Sequence, residues 1–297
     1  MCRLFGFRSV ITSQVHRSLV SADNALMHQS EAHPDGWGVA YYVDGYPHVV
    51  KSVATAVSDT LFRRVSGIVS SETVMAHLRR ATVGELSIIN SHPFQYGNWI
   101  FGHNGQIPNF SKYREALIEQ VSPVYRRFIL GDTDSEVLFY LLISNMAKYF
   151  DVHRKGTELD EVVAAVETTV NEVCEITGLD CYCKKKAEED EFYLTFLLTN
   201  GHMMLAHHGG KELYYSTYKT ECPERSSCPS FSQACEARTK SGFVNHFIVS
   251  SEPLHGENIW LEMEPGEVAG VDWRMRLRSP QGERDDDERR VAVAKGA

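Results

Sequence analysis

The 297-residue chain opens "MCRLFGFRS", with Cys2 directly behind Met1 at the head of an apolar run. With Met1 removed, Cys2 carries a thiol nucleophile and a free α-amino group on one residue. Such an amine titrates at about 7.7 to 8.0 and a thiol at about 8.5. Near neutral pH a neutral amine fraction can therefore accept the thiol proton, with no separate histidine. With Met1 retained, Cys2 reads as an ordinary buried thiol.

Three further stretches carry polar groups that could serve such a nucleophile. In "MAHLRRATVGE", Arg79 and Arg80 close a strand and lead into a turn containing Gly84. An arginine there can clamp a carboxylate through a bidentate fork, although adjacent arginines also occur as a solvated pair. In "NWIFGHNGQIPNF", His103, Asn104 and Gly105 follow an aromatic strand. Asn-Gly between apolar runs signals a tight hairpin turn. Equally, the Asn104 amide and the Gly105 N–H could donate to a developing oxyanion in acyl transfer to a thiol. In "LGDTDSEVLFYLL", Asp132, Thr133, Asp134 and Ser135 precede an apolar helix that Glu136 enters. Helix capping accounts for that composition, and a carboxylate there could also hold a substrate ammonium group.

The elements that must position these groups follow from periodicity. "CRLFGFR", "GWGVAYYV", "PHVVKSV", "TVMAHLR" and "NWIFGHN" read as strands, with an uneven helical pattern in "HRSLVSADNALMHQSEA". Long helices are expected from Asp134 and from Thr157, the second with Leu159, Val162, Val163, Val166, Val170 and Val173 along one face. Strands resume with "FYLTFLLTNGHMMLAHHGGKELYYS", where Asn-Gly marks a turn, then with "NHFIVSSEPL" and "EVAGVDWRMRL". Strands, helices and strands again indicate an α+β layered domain rather than a doubly wound parallel sheet. "TECPERSSCPSFSQACEARTKSG" reads as a long surface loop, and residues 279–297 as a charged, disordered tail. Residues 2–278 are expected to form a single domain.

Thirty basic against thirty-nine acidic residues give a net charge of −9, which disfavours nucleic acid and anionic membrane as partners and favours a small polar substrate. Nothing resembles a signal peptide or a spanning segment, so a cytoplasmic protein is expected. Seven cysteines, most of them in the C-terminal half, do not resemble a secreted disulfide framework. Cys181, Cys183, Cys222, Cys228 and Cys235 lack the paired spacing of a zinc knuckle, so no metal is expected and they read as buried or surface thiols. No phosphate-binding glycine loop is evident, and no cofactor is expected.

Taken jointly, these stretches resemble the class II glutamine amidotransferase domain of the N-terminal-nucleophile hydrolase superfamily. The motifs are the leading "CRLFGF", "HLRRATVG" for His-x-Arg-x-Ala-Thr-x-Gly, "NSHPF", "HNGQI", and "DSEV" opening a helix. The resemblance implies a four-layer αββα sandwich. It also implies Cys2 as nucleophile with its amine as proton shuttle, and Asn104 and Gly105 as the oxyanion hole. Arg79 and Thr82 match positions that bind the substrate α-carboxylate, and Asp134 matches the one that binds its ammonium group. His77, His92 and His103 lie within the motifs as orienting groups, and Trp37 and Phe94 as pocket wall or core.

Arg80 and Val83 depart from the tryptophan and histidine of the enzymes fused to sugar-phosphate synthases. "HPDGWGVAYY" and "SEPLHGENIW" instead resemble the compact stand-alone subfamily. The implied reaction is hydrolysis of glutamine or another γ-glutamyl compound through a thioester on Cys2. The enzyme would either feed ammonia to a separate synthase or acceptor subunit or act alone on γ-glutamyl amides and peptides. A catalytically silent binding module is the alternative of another class.

Overall fold

The computed structural model describes residues 2–154, 156–180, 182, 192–239 and 241–279. Strand β1 (Arg3–Gln14) is followed by a π-helical turn (Arg17–Ser21), helix α1 (Leu26–Gln29), strands β2 (Trp37–Val43) and β3 (Tyr46–Ser52), helix α2 (Thr60–Ile68) and strand β4 (Ser70–Leu78). Strands β5 (Phe94–Tyr96) and β6 (Trp99–Gln106) precede helices α3 (Phe110–Gln120), α4 (Pro123–Arg126), α5 (Asp134–Tyr149) and α6 (Leu159–Thr177). Strands β7 (Tyr193–Thr199), β8 (Met204–His207), β9 (Tyr214–Ser216), β10 (His246–Ser250), β11 (Leu261–Glu262), β12 (Val268–Val271) and β13 (Leu277–Arg278) complete the order.

The strands form two antiparallel sheets, β11-β9-β10-β1-β4-β2-β3 and β13-β12-β8-β7-β6-β5. Alternation along each strand decides which side chain meets which layer. Leu4, Ala40 and Met75 of the first sheet meet Ile100, Leu197 and Met204 of the second. The intervening positions Phe5, Val39, Val74 and Ala76 face outward onto α1 and α2. Phe101, Phe196 and Leu198 face outward onto α3, α5 and α6. Two sheets face to face with helices on both outer faces make the four layers of an αββα sandwich. Helix α5 is buried at every position from Asp134 to Met146, as suits a helix packed between β6 and its neighbours α3 and α6.

Several sequence expectations change. The segment around "HRSLVSADNALMHQSEA" does not form one helix; the π-helical turn and the four-residue α1 share it. Helices α2 and α3 were not expected from the periodicity. The hairpin between β2 and β3 turns on Asp44 and Gly45, both with positive φ, the geometry expected of a two-residue turn. The 279–297 tail lies, from residue 280 onward, outside the described residues, as do Cys181 and Cys183.

Candidate active site

The register of the first sheet brings the first two sequence elements together. Arg3 pairs with Leu78 in the antiparallel β1 and β4 ladder, so the start of one strand and the end of the other emerge side by side. Cys2 is buried, at 8% exposure. Its Sγ lies 3.4 Å from the Arg80 amide nitrogen and 3.6 Å from the Arg80 carbonyl oxygen. Burial pushes the thiol up, while the Arg80 main-chain contact and the charge of Arg79 oppose that rise.

Arg79 is 2% exposed. Its guanidinium donates to the carbonyls of Val83, Gly84 and Glu85 at 3.0 to 3.4 Å, and to no carboxylate among the described residues. Burial lowers its pKa, and the charges of Cys2, Asp35 and Asp134 act against that. The chain wraps the guanidinium because Gly84 takes φ +76°, a conformation that costs glycine little. Thr82 sits on this turn but is exposed, and the structure does not draw it into the buried network.

Asp134 occupies the first turn of α5, yet it is not the cap. Thr133 caps the helix, its Oγ1 accepting from the Glu136 amide at 3.2 Å. Asp134 is left to accept from the Ile107 amide through Oδ2 at 2.7 Å and from the Ser135 amide through Oδ1 at 2.8 Å. The capping and ligand readings of this segment thus fall on different residues. Both Cys2 and Arg79 feel the Asp134 charge, which places the thiol, a buried cation and a buried carboxylate in one neighbourhood.

His103, Asn104 and Gly105 are not a hairpin turn. They lie inside β6, paired with Phe196, Thr195 and Leu194 of β7. Gly105 is needed there for close approach rather than for positive φ. A Cβ on it would come within 2.0 Å of the Tyr193 carbonyl oxygen and 2.5 Å of His103 Nε2. Asn104 is 3% exposed, and its Oδ1 is buried without a hydrogen-bond partner. His77 on β4 reaches the His103 carbonyl through Nε2 at 3.0 Å, linking the strand that leads to Arg79 with the strand that carries Asn104.

Sequence reasoning missed three supporting residues. Asp35 accepts from the Ala81 amide at 2.8 Å and fixes the turn after Arg79. Asn90 donates to Glu85 O at 3.1 Å and accepts from the Asp132 amide at 3.0 Å, so it ties the turn after Arg79 to the turn before α5. Glu136 accepts from the amides of Leu130 and Gly131. The signals were present in "HPDG", in the Asn of "NSHP" and in the Glu of "DSEV", but their partners lie too far along the chain to be read from spacing. Elsewhere, Cys222, Cys228, Cys235 and His246 line a separate cavity of about 80 Å³ against β1 and β10. Among the described residues, no group of three His, Cys, Asp or Glu could hold a metal ion there or elsewhere.

No helix among the described residues is long and apolar enough to cross a membrane. The fold is similar to that of a glutamine aminotransferase class-II domain protein from Silicibacter pomeroyi, with TM-score 0.58 and 21% identity, over 94% of this chain and 99% of that one. In sequence the chain is 29% identical over 227 residues to "Probable glutamine amidotransferase DUG3" of Saccharomyces cerevisiae, covering 68% of this chain and 61% of that protein. It is 35% identical over 74 residues to the gamma-glutamyl-hercynylcysteine sulfoxide hydrolase of Mycobacterium tuberculosis, covering 25% of this chain and 32% of that one. The model of the family "Glutamine amidotransferases class-II" matches residues 1–181, more than half of the sequence. The chain belongs to the class-II glutamine amidotransferases.

Proposed function

We propose that this protein hydrolyses glutamine or a related γ-glutamyl compound, with Cys2 as nucleophile once the residue before it has been removed. The observation that carries the reading is that the β1–β4 register sets Cys2 against the Arg79–Arg80 segment, while Asn90 and His77 tie that segment to the turn before Asp134 and to the strand of Asn104. Among the described residues Arg79 is a buried cation satisfied by carbonyls alone, which suits it to a substrate α-carboxylate, with Thr82 at the exposed rim. Asp134 is a buried carboxylate that suits the α-ammonium group. Together they take the amino-acid end of the substrate and present its side-chain carbonyl to the thiol.

The Cys2 α-amine takes the thiol proton, and Sγ attacks the γ-carbonyl carbon. The carbonyl π electrons move to oxygen, where Asn104 Nδ2 and the Gly105 N–H donate to the oxyanion. Collapse breaks the C–N bond, and the protonated amine gives its proton to the departing nitrogen. Water, deprotonated by the same amine, then cleaves the γ-glutamyl thioester to free glutamate and the thiol.

For residues 2–278 we propose one domain, since the two sheets share one face-to-face core. The thiols of Cys2, Cys222, Cys228 and Cys235 suit a reducing, cytoplasmic setting. The name of the mycobacterial relative favours hydrolysis of a γ-glutamyl amide by the chain alone. Delivery of ammonia to a separate synthase or acceptor subunit is the second reading, favoured by the name of the yeast relative.

Free glutamate is followed during incubation with glutamine, glutathione and other γ-glutamyl amides. Release by the native protein and none by Cys2→Ala is expected. Undiminished release by Cys2→Ala would overturn the mechanism. Glutamine as the sole good substrate would favour ammonia delivery, and a strong preference for another γ-glutamyl amide would favour the stand-alone hydrolase.

A further inference from the structure

Asp134 and Asn104 lie on different elements, the first turn of α5 and the middle of β6, and a buried side-chain pair bridges them. His103 Nδ1 lies 2.8 Å from Ser135 Oγ, and His103 Nε2 lies 3.1 Å from the Tyr193 carbonyl oxygen. Ser135 Oγ also lies 3.3 Å from Asp134 Oδ1. His103 and Ser135 are 1% and 4% exposed, so each proton in the pair must have a defined place.

The placement follows from what each partner can do. A carbonyl oxygen only accepts, so Nε2 of His103 must carry the hydrogen that faces Tyr193 O. Burial pushes the imidazole towards its neutral form, against the pull of Asp134. In a neutral ring with Nε2 protonated, Nδ1 is an acceptor, and the Ser135 hydroxyl must be its donor. That hydroxyl has one hydrogen. Spent on Nδ1 at 2.8 Å, it is not available to Asp134 Oδ1 at 3.3 Å. Among the described residues the carboxylate then accepts only two main-chain amides, from Ile107 and Ser135, and keeps lone pairs open for a cationic group.

We propose that Ser135 and His103 act as a proton-ordered positioning pair: the Ser135 hydroxyl donates to His103 Nδ1, His103 Nε2–H donates to Tyr193 O, and Asp134 is thereby kept open to the substrate ammonium group. The His103 ring also holds the segment of β6 next to Asn104, so one pair sets both ends of the site. The part that concerns the ammonium group rests on the function proposed above. The hydrogen-bond order itself does not.

Two measurements test the pair. With ¹⁵N-labelled histidine in the full chain, and the His103 signal assigned by its loss in His103→Gln, the expected result is a single neutral tautomer protonated at Nε2. In Ser135→Ala the Tyr193 carbonyl still holds the Nε2 proton, so the tautomer should persist while the Nδ1 signal, having lost its donor, moves downfield, and Ser135→Thr should leave that signal in place; circular dichroism checks that each variant is folded. Kinetically, His103→Phe frees the Ser135 hydroxyl to turn to Asp134 and should raise KM for the best γ-glutamyl substrate about tenfold, and Ser135→Ala added to it should bring KM back towards native. An Nδ1-protonated ring in the native protein, an Nδ1 signal unmoved by Ser135→Ala, or a His103→Phe variant whose KM is native or is not rescued by Ser135→Ala, overturns the proposal. If the native protein cleaves no γ-glutamyl compound, the proposed function fails, and the tautomer still decides the hydrogen-bond order.

Discussion

Arg80 holds the sulfur of Cys2 with both of its main-chain groups, the amide nitrogen at 3.4 Å and the carbonyl oxygen at 3.6 Å. Its side chain points into solvent, while the side chain of its neighbour Arg79 is buried under the turn that follows. Two adjacent arginines therefore differ in what they offer: one supplies backbone to the thiol, the other a buried guanidinium, proposed above to hold the substrate carboxylate.

This division predicts opposite outcomes for neighbouring substitutions. Arg80→Ala keeps both main-chain contacts and should leave kcat/KM within about threefold of native. Arg79→Lys keeps the charge but loses the planar fork that serves three carbonyls and, as proposed, the substrate carboxylate. A lost charge-assisted hydrogen bond is worth roughly 1.5 to 3 kcal/mol, so kcat/KM should fall about 10- to 100-fold, chiefly through KM. Steady-state kinetics on the two variants checks the pair, and equal effects would count against the assignment.

Asn104→Ala should separate catalysis from stability. Loss of one oxyanion donor typically lowers kcat by about 10² to 10³. Because Asn104 Oδ1 is buried without a partner, removing the side chain breaks no bond to that oxygen, and unfolding free energy should change by less than about 1 kcal/mol. Single-turnover kinetics beside urea denaturation gives both quantities.

Gly105→Ala should fail in a different way. The added methyl would lie 2.0 Å from the Tyr193 carbonyl, with a second clash at His103. Backbone cannot yield as a flexible side chain does, so β6 and β7 must part locally. We expect destabilisation by about 3 kcal/mol or more and loss of activity together. A stable, active variant would mean that β6 does not approach β7 as closely as described.

Acid should destabilise the protein before its carboxylates titrate. Burial holds His77 and His246 down to about 3 and His207 down to about 4. Each is neutral when folded but binds a proton when unfolded below about pH 6.5. The unfolded state then holds more protons, so stability is present above that pH and is lost as the pH falls towards the folded values. At pH 5 a residue such as His77 contributes a loss of about 2 kcal/mol relative to pH 7. Denaturation curves between pH 7 and 5 should show a proton uptake on unfolding that rises above about three at pH 5, because burial also lowers His92, His103 and His208; a flat profile would contradict the neutral burial of these rings.

How far the sequence was legible varies with the range of each interaction. Apolar, β-branched and aromatic runs mark β1, β2, β3, β4, β6 and β7, and helices α5 and α6 begin within two residues of the expected Asp134 and Thr157. Helix α3 was hidden because its cap, Asn109, has φ +52° and makes no side-chain capping bond, so no start signal stands before it. Helix α2 did carry a signal, Asp59 accepting from the Leu61 amide. For the site, residue types were readable but their partners were not. Whether Asn104 and Gly105 turn or continue as strand depends on β7, nearly ninety residues away. Likewise, nothing local to Ser135 reveals that its partner is His103, at |i−j| of 32.

The central claim is that Cys2 is an N-terminal nucleophile. Its most direct test is the intact mass and peptide map of the purified protein after incubation with a diazo-ketone analogue of glutamine. The expected product is a chain that lacks Met1 and carries one adduct, located on Cys2 and suppressed by excess glutamine. A chain that retains Met1 and takes up no reagent, or an adduct on Cys222, Cys228 or Cys235 instead, would contradict it.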